Sequence, residues 1–477
     1  MTLFHTLQSE AIGLQDLHLK SAVELAATIK AKSVSVRDVV SAFLDQIEKF
    51  NPDYNAIVSL RPRSEILKEA DHCDRHPQSG ALFGLPIAIK DLAQTKGLRT
   101  TFGSPIYKDF VPAEDDLHVA RIRAAGAIII GKTNVPEWGF GSQTYNPVFG
   151  ATRNAFDRSL TAGGSSGGAA VALALNMVPL ADGSDMGGSL RNPAAFNNVY
   201  GFRPSQGRVP AYPAADHFMT QMATEGPMGR TVEDVALLLS VMAGRDERVP
   251  LSLSGDGCVF AENLEPDAKG KRVAWLGDLG GAVAMEYGII QLCNDGLSVL
   301  RKAGANVENV SLGFDYERLW QAFKVLRQFS AGGGLMAHYN NVAERALLKP
   351  EAIWEIEQSL KLSAHDVYKA SVVRSNWYAC VLKAFESFDF LAMPSAQVFP
   401  FPVEQHWPKT IKGVAMDSYH RWMQIVSLGT MSGCPIINVP VGFDGNRAMG
   451  MQLMGRPRHD LAVLRLARAY EVIWTQK

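Results

Sequence analysis

Two glycine-rich clusters, Gly163-Gly164-Ser165-Ser166-Gly167-Gly168 and Gly187-Gly188-Ser189-Leu190-Arg191, bracket the stretch from Thr161 to Arg191. Between them lie an apolar run and the polar segment Asp182-Gly183-Ser184-Asp185, which reads as a turn. Glycine removes the Cβ that would hold backbone away from a small ligand, and serine adds an oxygen that can attack, donate or accept. Two such turns, about one helix-and-strand unit apart, mark a place where backbone must come close to something small.

The rest of the chain is read around that stretch. Ser21-Ala22-Val23-Glu24 and Ser35-Val36-Arg37-Asp38 are capping signals ahead of apolar-periodic runs, so residues 1–80 are expected to be helical. Strands are expected at Leu85 to Ile89, Ala127 to Ile130, Val178 to Ala181, Val273 to Leu276, Val307 to Val310, Phe390 to Met393, Ile436 to Val441 and Met451 to Met454. Helices are expected at Val119 to Ala125, Gly168 to Asn176, from Thr231 to near Gly244, and at Tyr287 to Ala303. A long helical segment covers Tyr316 to Phe388, with breaks at Gly332-Gly333-Gly334 and Pro350. Strands alternating with helices predict an α/β fold, a large twisted sheet, mixed but mostly parallel, with helices on both faces. At 477 residues the usual ratio would suggest about three domains. With no linker, charge run or repeat in view, the expectation is instead one domain over 1–477: a helical N-terminal region over 1–80, a core over 80–210, and 211–477 holding a helical insertion or cap and the remaining strands.

Composition narrows the function. A net charge of −1 argues against a nucleic-acid partner or a polybasic membrane anchor. Met1 to Thr6 carries no basic n-region, and the apolar stretch from Gly167 to Ala181 is too short to span a bilayer. The five cysteines are scattered and without CxxC spacing, as expected of reduced thiols in a cytoplasmic protein.

Three positions carry chemistry. Lys90 ends the apolar segment Gly84-Leu85-Pro86-Ile87-Ala88-Ile89. It either leaves a strand into water or sits at the sheet mouth, where open α/β sheets bind ligands. Ser165 and Ser166 each stand at the centre of a G-x-S-x-G match, which admits a hydrolase with a Ser-His-Asp triad and Ser166 as nucleophile. A phosphate loop would need a Lys-Ser/Thr pair that is missing here. Ser189, after two glycines, is either the N-cap of a helix or a nucleophile beside converging backbone N–H groups. Trp320, Met336 and Trp354 fit helical core packing, and His420, Arg421 and Trp422 fit a helix face more readily than a substrate entrance.

Taken in order, Lys90, the Ser165 cluster and Asp185-Met186-Gly187-Gly188-Ser189-Leu190-Arg191 resemble the amidase signature family. Gly131-Lys132-Thr133-Asn134, Gly201-Phe202-Arg203-Pro204-Ser205, and Cys434-Pro435 through Gln452-Leu453 resemble further family blocks, over about residues 20 to 475. The resemblance implies an α/β/α sandwich and a Ser-cisSer-Lys triad: Ser189 as acyl nucleophile, Ser165 as bridging serine after a cis Gly164-Ser165 bond, and Lys90 as base. It implies an oxyanion hole from the N–H groups of Met186, Gly187, Gly188 and Ser189. Ser184, where threonine is usual, Ser166 and Gly164 would stand beside the triad, and Asp185 and Arg191 would pair to set the turn. Lysine's ordinary pKa of about 10.4 would leave it charged, so burial must lower it before it can act as a base. No metal or cofactor is called for.

The expected activity is hydrolysis of a small or medium carboxamide, anilide or hydrazide, with the amide and water as partners and a homodimer as the commonest soluble assembly. The nearest alternative is the amidase subunit of a tRNA-dependent amidotransferase. The segment Gly201 to Pro210 and Met186 look more like stand-alone bacterial amidases. A different-class alternative is a non-catalytic binding module on the same scaffold, disfavoured by the intact Lys90, Ser165 and Ser189.

Overall fold

The computed structural model describes residues 14–76 and 80–476; Met1 to Thr6, where no leader is expected, lie outside them. Eleven strands make one mixed sheet. In chain order they are β1 Ile57–Val58, β2 Pro86–Lys90, β3 Ile128–Thr133, β4 Leu180–Asp185, β5 Tyr200–Arg203, β6 Thr224–Gly229, β7 Arg272–Trp275, β8 Asn306–Asn309, β9 Phe390–Pro394, β10 Ile436–Asp444 and β11 Arg447–Gly455. They lie side by side as β1-β3-β2-β4-β6-β5-β10-β11-β9-β7-β8. Parallel pairing forms two flanking blocks, β3-β2-β4 and β9-β7-β8. The centre, from β4 through β6, β5, β10 and β11 to β9, is antiparallel, as is the β1 edge. Parallel pairing is thus a smaller share of the mixed sheet than expected, because hairpin-like returns such as β10–β11 replace helical crossovers in the middle.

Helices cover both faces. Gly167–Ala174 and Arg191–Phe196 pack on each other and on the sheet, and Val232–Met242, Ile289–Lys302 and Asp460–Trp474 form another contacting set on it. Ser21 and Ser35 each close a capping box, at the starts of Ala22–Lys30 and Val36–Tyr54, as their sequences predicted. Among the described residues no helix is long and apolar enough to cross a membrane.

Two expectations need correction. Asp182-Gly183-Ser184-Asp185 is not a turn but the end of β4, laddered against Thr224 to Pro227. Its polar side chains are bonded inside the protein, so the usual cost of burying them is met. The helix Tyr316–Asn340 also runs through Gly332-Gly333-Gly334 without a break. Here glycine serves packing: a Cβ on Gly332 would stand 2.1 Å from Ser359 Oγ on the neighbouring helix Pro350–Ser359. Pro350 does begin a new helix, at a position where its missing N–H costs nothing. Strands β1, β5 and β6 had no counterpart in the expected set; short or rich in glycine and proline, they carry little alternation to read.

Candidate active site

Lys90 is the last residue of β2 and Asp185 the last of β4, so both arrive at the carboxyl ends of strands within one parallel block. Lys90 does not leave the sheet into water: it is 1% exposed. Its Nζ lies 2.7 Å from Ser165 Oγ, 2.8 Å from Ser166 Oγ and 2.9 Å from Ser184 Oγ, with the Ser184 carbonyl at 3.3 Å. Burial lowers Lys90 to about 8, against the opposing pull of Glu225, Asp182 and Asp185.

The glycine-serine loop is held from several sides. Ser142 Oγ donates to the Gly164 carbonyl at 2.5 Å and Thr144 Oγ1 to the Gly163 carbonyl at 2.8 Å. The Gly164–Ser165 peptide bond is cis. The Ser166 N–H donates to the Ser189 carbonyl at 3.2 Å, which ties the two clusters together. Ser165, Ser184, Met186, Gly187 and Ser189 all face one cavity of about 360 Å³. Ser189 Oγ makes no hydrogen bond among the described residues, to Ser165 Oγ or to any other group.

The turn carrying Ser189 is built on Asp185. Its Oδ1 accepts from the Gly188 N–H at 2.9 Å and its Oδ2 from the Leu190 N–H at 3.1 Å. Arg191 grips both oxygens, at 2.8 and 2.9 Å. Arg203 adds a contact to Oδ1 at 3.3 Å and a bond to the Asp185 carbonyl. Burial works against the ionised carboxyl, but the two guanidiniums outweigh it and hold Asp185 well below the usual carboxylate range. Burial lowers Arg203 to about 10.

This arrangement changes the expected oxyanion set. The Gly188 N–H is already taken by Asp185, because the carboxylate that orders the turn needs a donor from it. Of the expected donors, that leaves the N–H groups of Met186, Gly187 and Ser189. Ser189 is also not the N-cap of Arg191–Phe196; Leu190 holds that place, without a side-chain cap. Gly188 has φ +94°, and a Cβ there would stand 2.5 Å from Val426 Cγ2. Gly188→Ala is therefore expected to lose about 1–3 kcal/mol of stability, read by urea denaturation, with loss of activity. Gly187→Ala, where the new Cβ meets only Phe323 Cζ at 3.6 Å, should fold as the parent does.

Several residues that matter here were missed in the sequence. Asp182 accepts the Lys90 backbone N–H at 2.7 Å through Oδ1 and faces His118 Nε2 at 3.2 Å through Oδ2. Glu225 lies in the cavity wall. Its signal was a single acid inside an otherwise uncharged strand, ahead of Gly226-Pro227. Trp138, Phe140, Trp320 and Phe323 bring four aromatic rings to the cavity. Arg327, also in the wall, bonds Glu355 Oε1 at 2.7 Å, the Tyr419 hydroxyl at 2.9 Å and Met186 Sδ at 3.3 Å. His420 does reach the cavity, against expectation, whereas Trp422 is buried and Arg421 pairs with Glu317 at 2.6 Å. Burial pushes the His420 imidazole well below its ordinary value.

Comparison with known proteins agrees with the motifs. The Amidase family model matches residues 38–464. An acylamidase of Rhodococcus erythropolis is 33% identical over 474 residues, covering 97% of this chain and 98% of the relative. One subunit of the glutamyl-tRNA(Gln) amidotransferase of Carboxydothermus hydrogenoformans is 34% identical over 483 residues, covering 96% of this chain and 97% of the relative. Among solved structures, a bacterial aryl acylamidase of the amidase signature family superposes with TM-score 0.90 at 31% identity, covering 96% of this chain and 98% of that one. Matched over nearly its whole length, the chain belongs to the amidase signature family and is a hydrolase acting on amides.

Proposed function

We propose that the protein is a free-standing acylamidase that works through an acyl-enzyme on Ser189. Neutral Lys90 takes a proton from Ser165 as Ser165 takes one from Ser189, and Ser189 Oγ attacks the amide carbonyl. The N–H groups of Met186, Gly187 and Ser189 receive the oxyanion. The proton returns through Ser165 to the leaving nitrogen, the C–N bond breaks, and water releases the acid by the same relay. The observation that carries this reading is the buried Lys90 Nζ 2.7 Å from the Oγ of Ser165, a residue that lines the same cavity as Ser189. The aromatic walls favour an amide bearing an aryl or other bulky apolar group over a small polar one.

A fluorophosphonate, with the modified serine mapped by mass spectrometry, tests the assignment. Label is expected on Ser189, absent in Ser189→Ala and retained in Ser166→Ala. Label on Ser166 would sink the relay and favour a histidine triad. The relatives that belong to amidotransferases keep a second reading open, in which the released ammonia passes to a partner. Purification from the native host separates the two: a single chain active on amides supports the acylamidase, and a partner that always co-purifies supports the amidotransferase. Strands from Ile57 to Gly455 sharing one sheet support a single catalytic unit, and five free cysteines fit a reducing cytoplasm.

A further inference from the structure

We propose that Glu225 supplies the counter-charge Lys90 needs each time it takes up a proton, making Glu225 a positioning residue for the base. The inference rests on the acyl-transfer reading above. In that reaction the proton leaves Ser165 Oγ for Lys90 Nζ, so a neutral amine becomes an ammonium at a site only 1% exposed. A buried charge without a partner is strongly disfavoured.

Three carboxylates pull electrostatically on Lys90: Glu225, Asp182 and Asp185. Two are already occupied. Asp182 holds the Lys90 backbone N–H at 2.7 Å and faces His118 at 3.2 Å. Asp185 is surrounded by Arg191, Arg203 and the N–H groups of Gly188 and Leu190. The Glu225 carboxylate, in contrast, has no hydrogen-bond partner among the described residues. Strand register places Glu225 directly opposite Ser184. Directly opposed residues of an antiparallel pair stand on the same face with neighbouring Cβ atoms. Ser184 Oγ is itself 2.9 Å from Lys90 Nζ, and both Ser184 and Glu225 line the cavity with Ser165 and Ser189.

The charged groups that act on Glu225 in turn are His118, Lys90, Asp182 and Asp116. Burial raises its carboxyl to about 7, while His118 and Lys90 pull it back toward the ionised form. Above that pH it is a carboxylate and favours the protonated lysine. Below it the lysine keeps its proton in any case, so the pair moves through its working states together. Removing the carboxylate removes a charge that holds the Lys90 proton, so Lys90 should release that proton at lower pH.

The experiment is the pH profile of kcat/KM on a neutral anilide for the wild type, Glu225→Gln, Glu225→Met and Glu225→Asp. For Gln and Met the acidic limb is expected to move to lower pH by about one unit, with plateau kcat down about tenfold because the base is weaker. Glu225→Asp should keep the limb where the wild type has it. A merely structural role would lower activity without moving the limb. A limb that stays in place or moves to higher pH, in either neutral variant with wild-type near-ultraviolet circular dichroism, overturns the proposal. Fluorophosphonate labelling of the wild type separates the two levels. Label on Ser189 with an unmoved limb sinks the role of Glu225 alone, and label elsewhere sinks the acyl-transfer reading with it.

Discussion

Lys90→Met should cut kcat/KM for an amide by about 10²–10⁴-fold, the usual contribution of a positioned general base. Methionine keeps an unbranched apolar stem as far as Cε, with sulfur in place of Cδ, and lacks the nitrogen, so the loss reads the proton relay more than the packing. Wild-type activity should rise with pH through about 8, the value to which burial brings Lys90. The sign follows from the chemistry: the neutral amine is the active form, and it is populated only as pH climbs past that value. In Lys90→Met this limb should vanish, leaving a small residual rate that climbs with hydroxide. The check is a pair of pH–rate profiles on one anilide, with circular dichroism to show that the variant is folded. A wild-type limb near the ordinary histidine value of about 6.5 would assign the base elsewhere. His420, the histidine in the cavity wall, is a poor candidate because burial holds it well below that value.

Asp185→Ala should be the most destabilising single change near the site, by about 3–5 kcal/mol, the cost of removing one partner of a buried ion pair. Asp185, Arg191 and Arg203 are each 0% exposed. Without the carboxylate two guanidiniums lose their counter-charge, and the N–H groups of Gly188 and Leu190 lose their acceptor. The Ser189 turn would lose its shape, so activity should fall with stability. Urea denaturation of Asp185→Ala, Arg191→Met and the double variant provides the test. The double variant should lose less than the sum of the singles, because some of each single cost is the stranded partner. Strict additivity would show that the pair does not couple.

Residue type marked the candidate site, and local signals marked parts of the fold. Lys90, the Ser165-Ser166 pair and Ser189 stood out by residue type and glycine surroundings, and their proposed roles as base, relay and nucleophile came from the resemblance to the amidase signature family. The glycines around them report backbone that a Cβ would obstruct. The capping boxes at Ser21 and Ser35 and the break at Pro350 were legible for a similar reason: local hydrogen bonding and a fixed φ set them within a few residues.

Long-range neighbours decided the rest. Asp182 to Asp185 has the composition of a turn, and it is a strand because β6 pairs with it and Lys90, His118, Arg191 and Arg203 satisfy its polar groups. Gly332 to Gly334 has the composition of a break, yet it stays helical in a helix packed on Pro350–Ser359 and Ala364–Ser387, where Ser359 leaves no room for a Cβ at Gly332. That the Gly188 N–H is taken by Asp185, and so is not free as an expected oxyanion donor, is set by the folded turn. Glu225 was marked in the sequence only as a lone acid in an uncharged strand, and nothing local ties it to a lysine more than a hundred residues away. Residue type fixed which groups can do this chemistry. The antiparallel centre of the sheet decided which of them meet, because it folds β6 back against β4 and sets Glu225 across from Ser184.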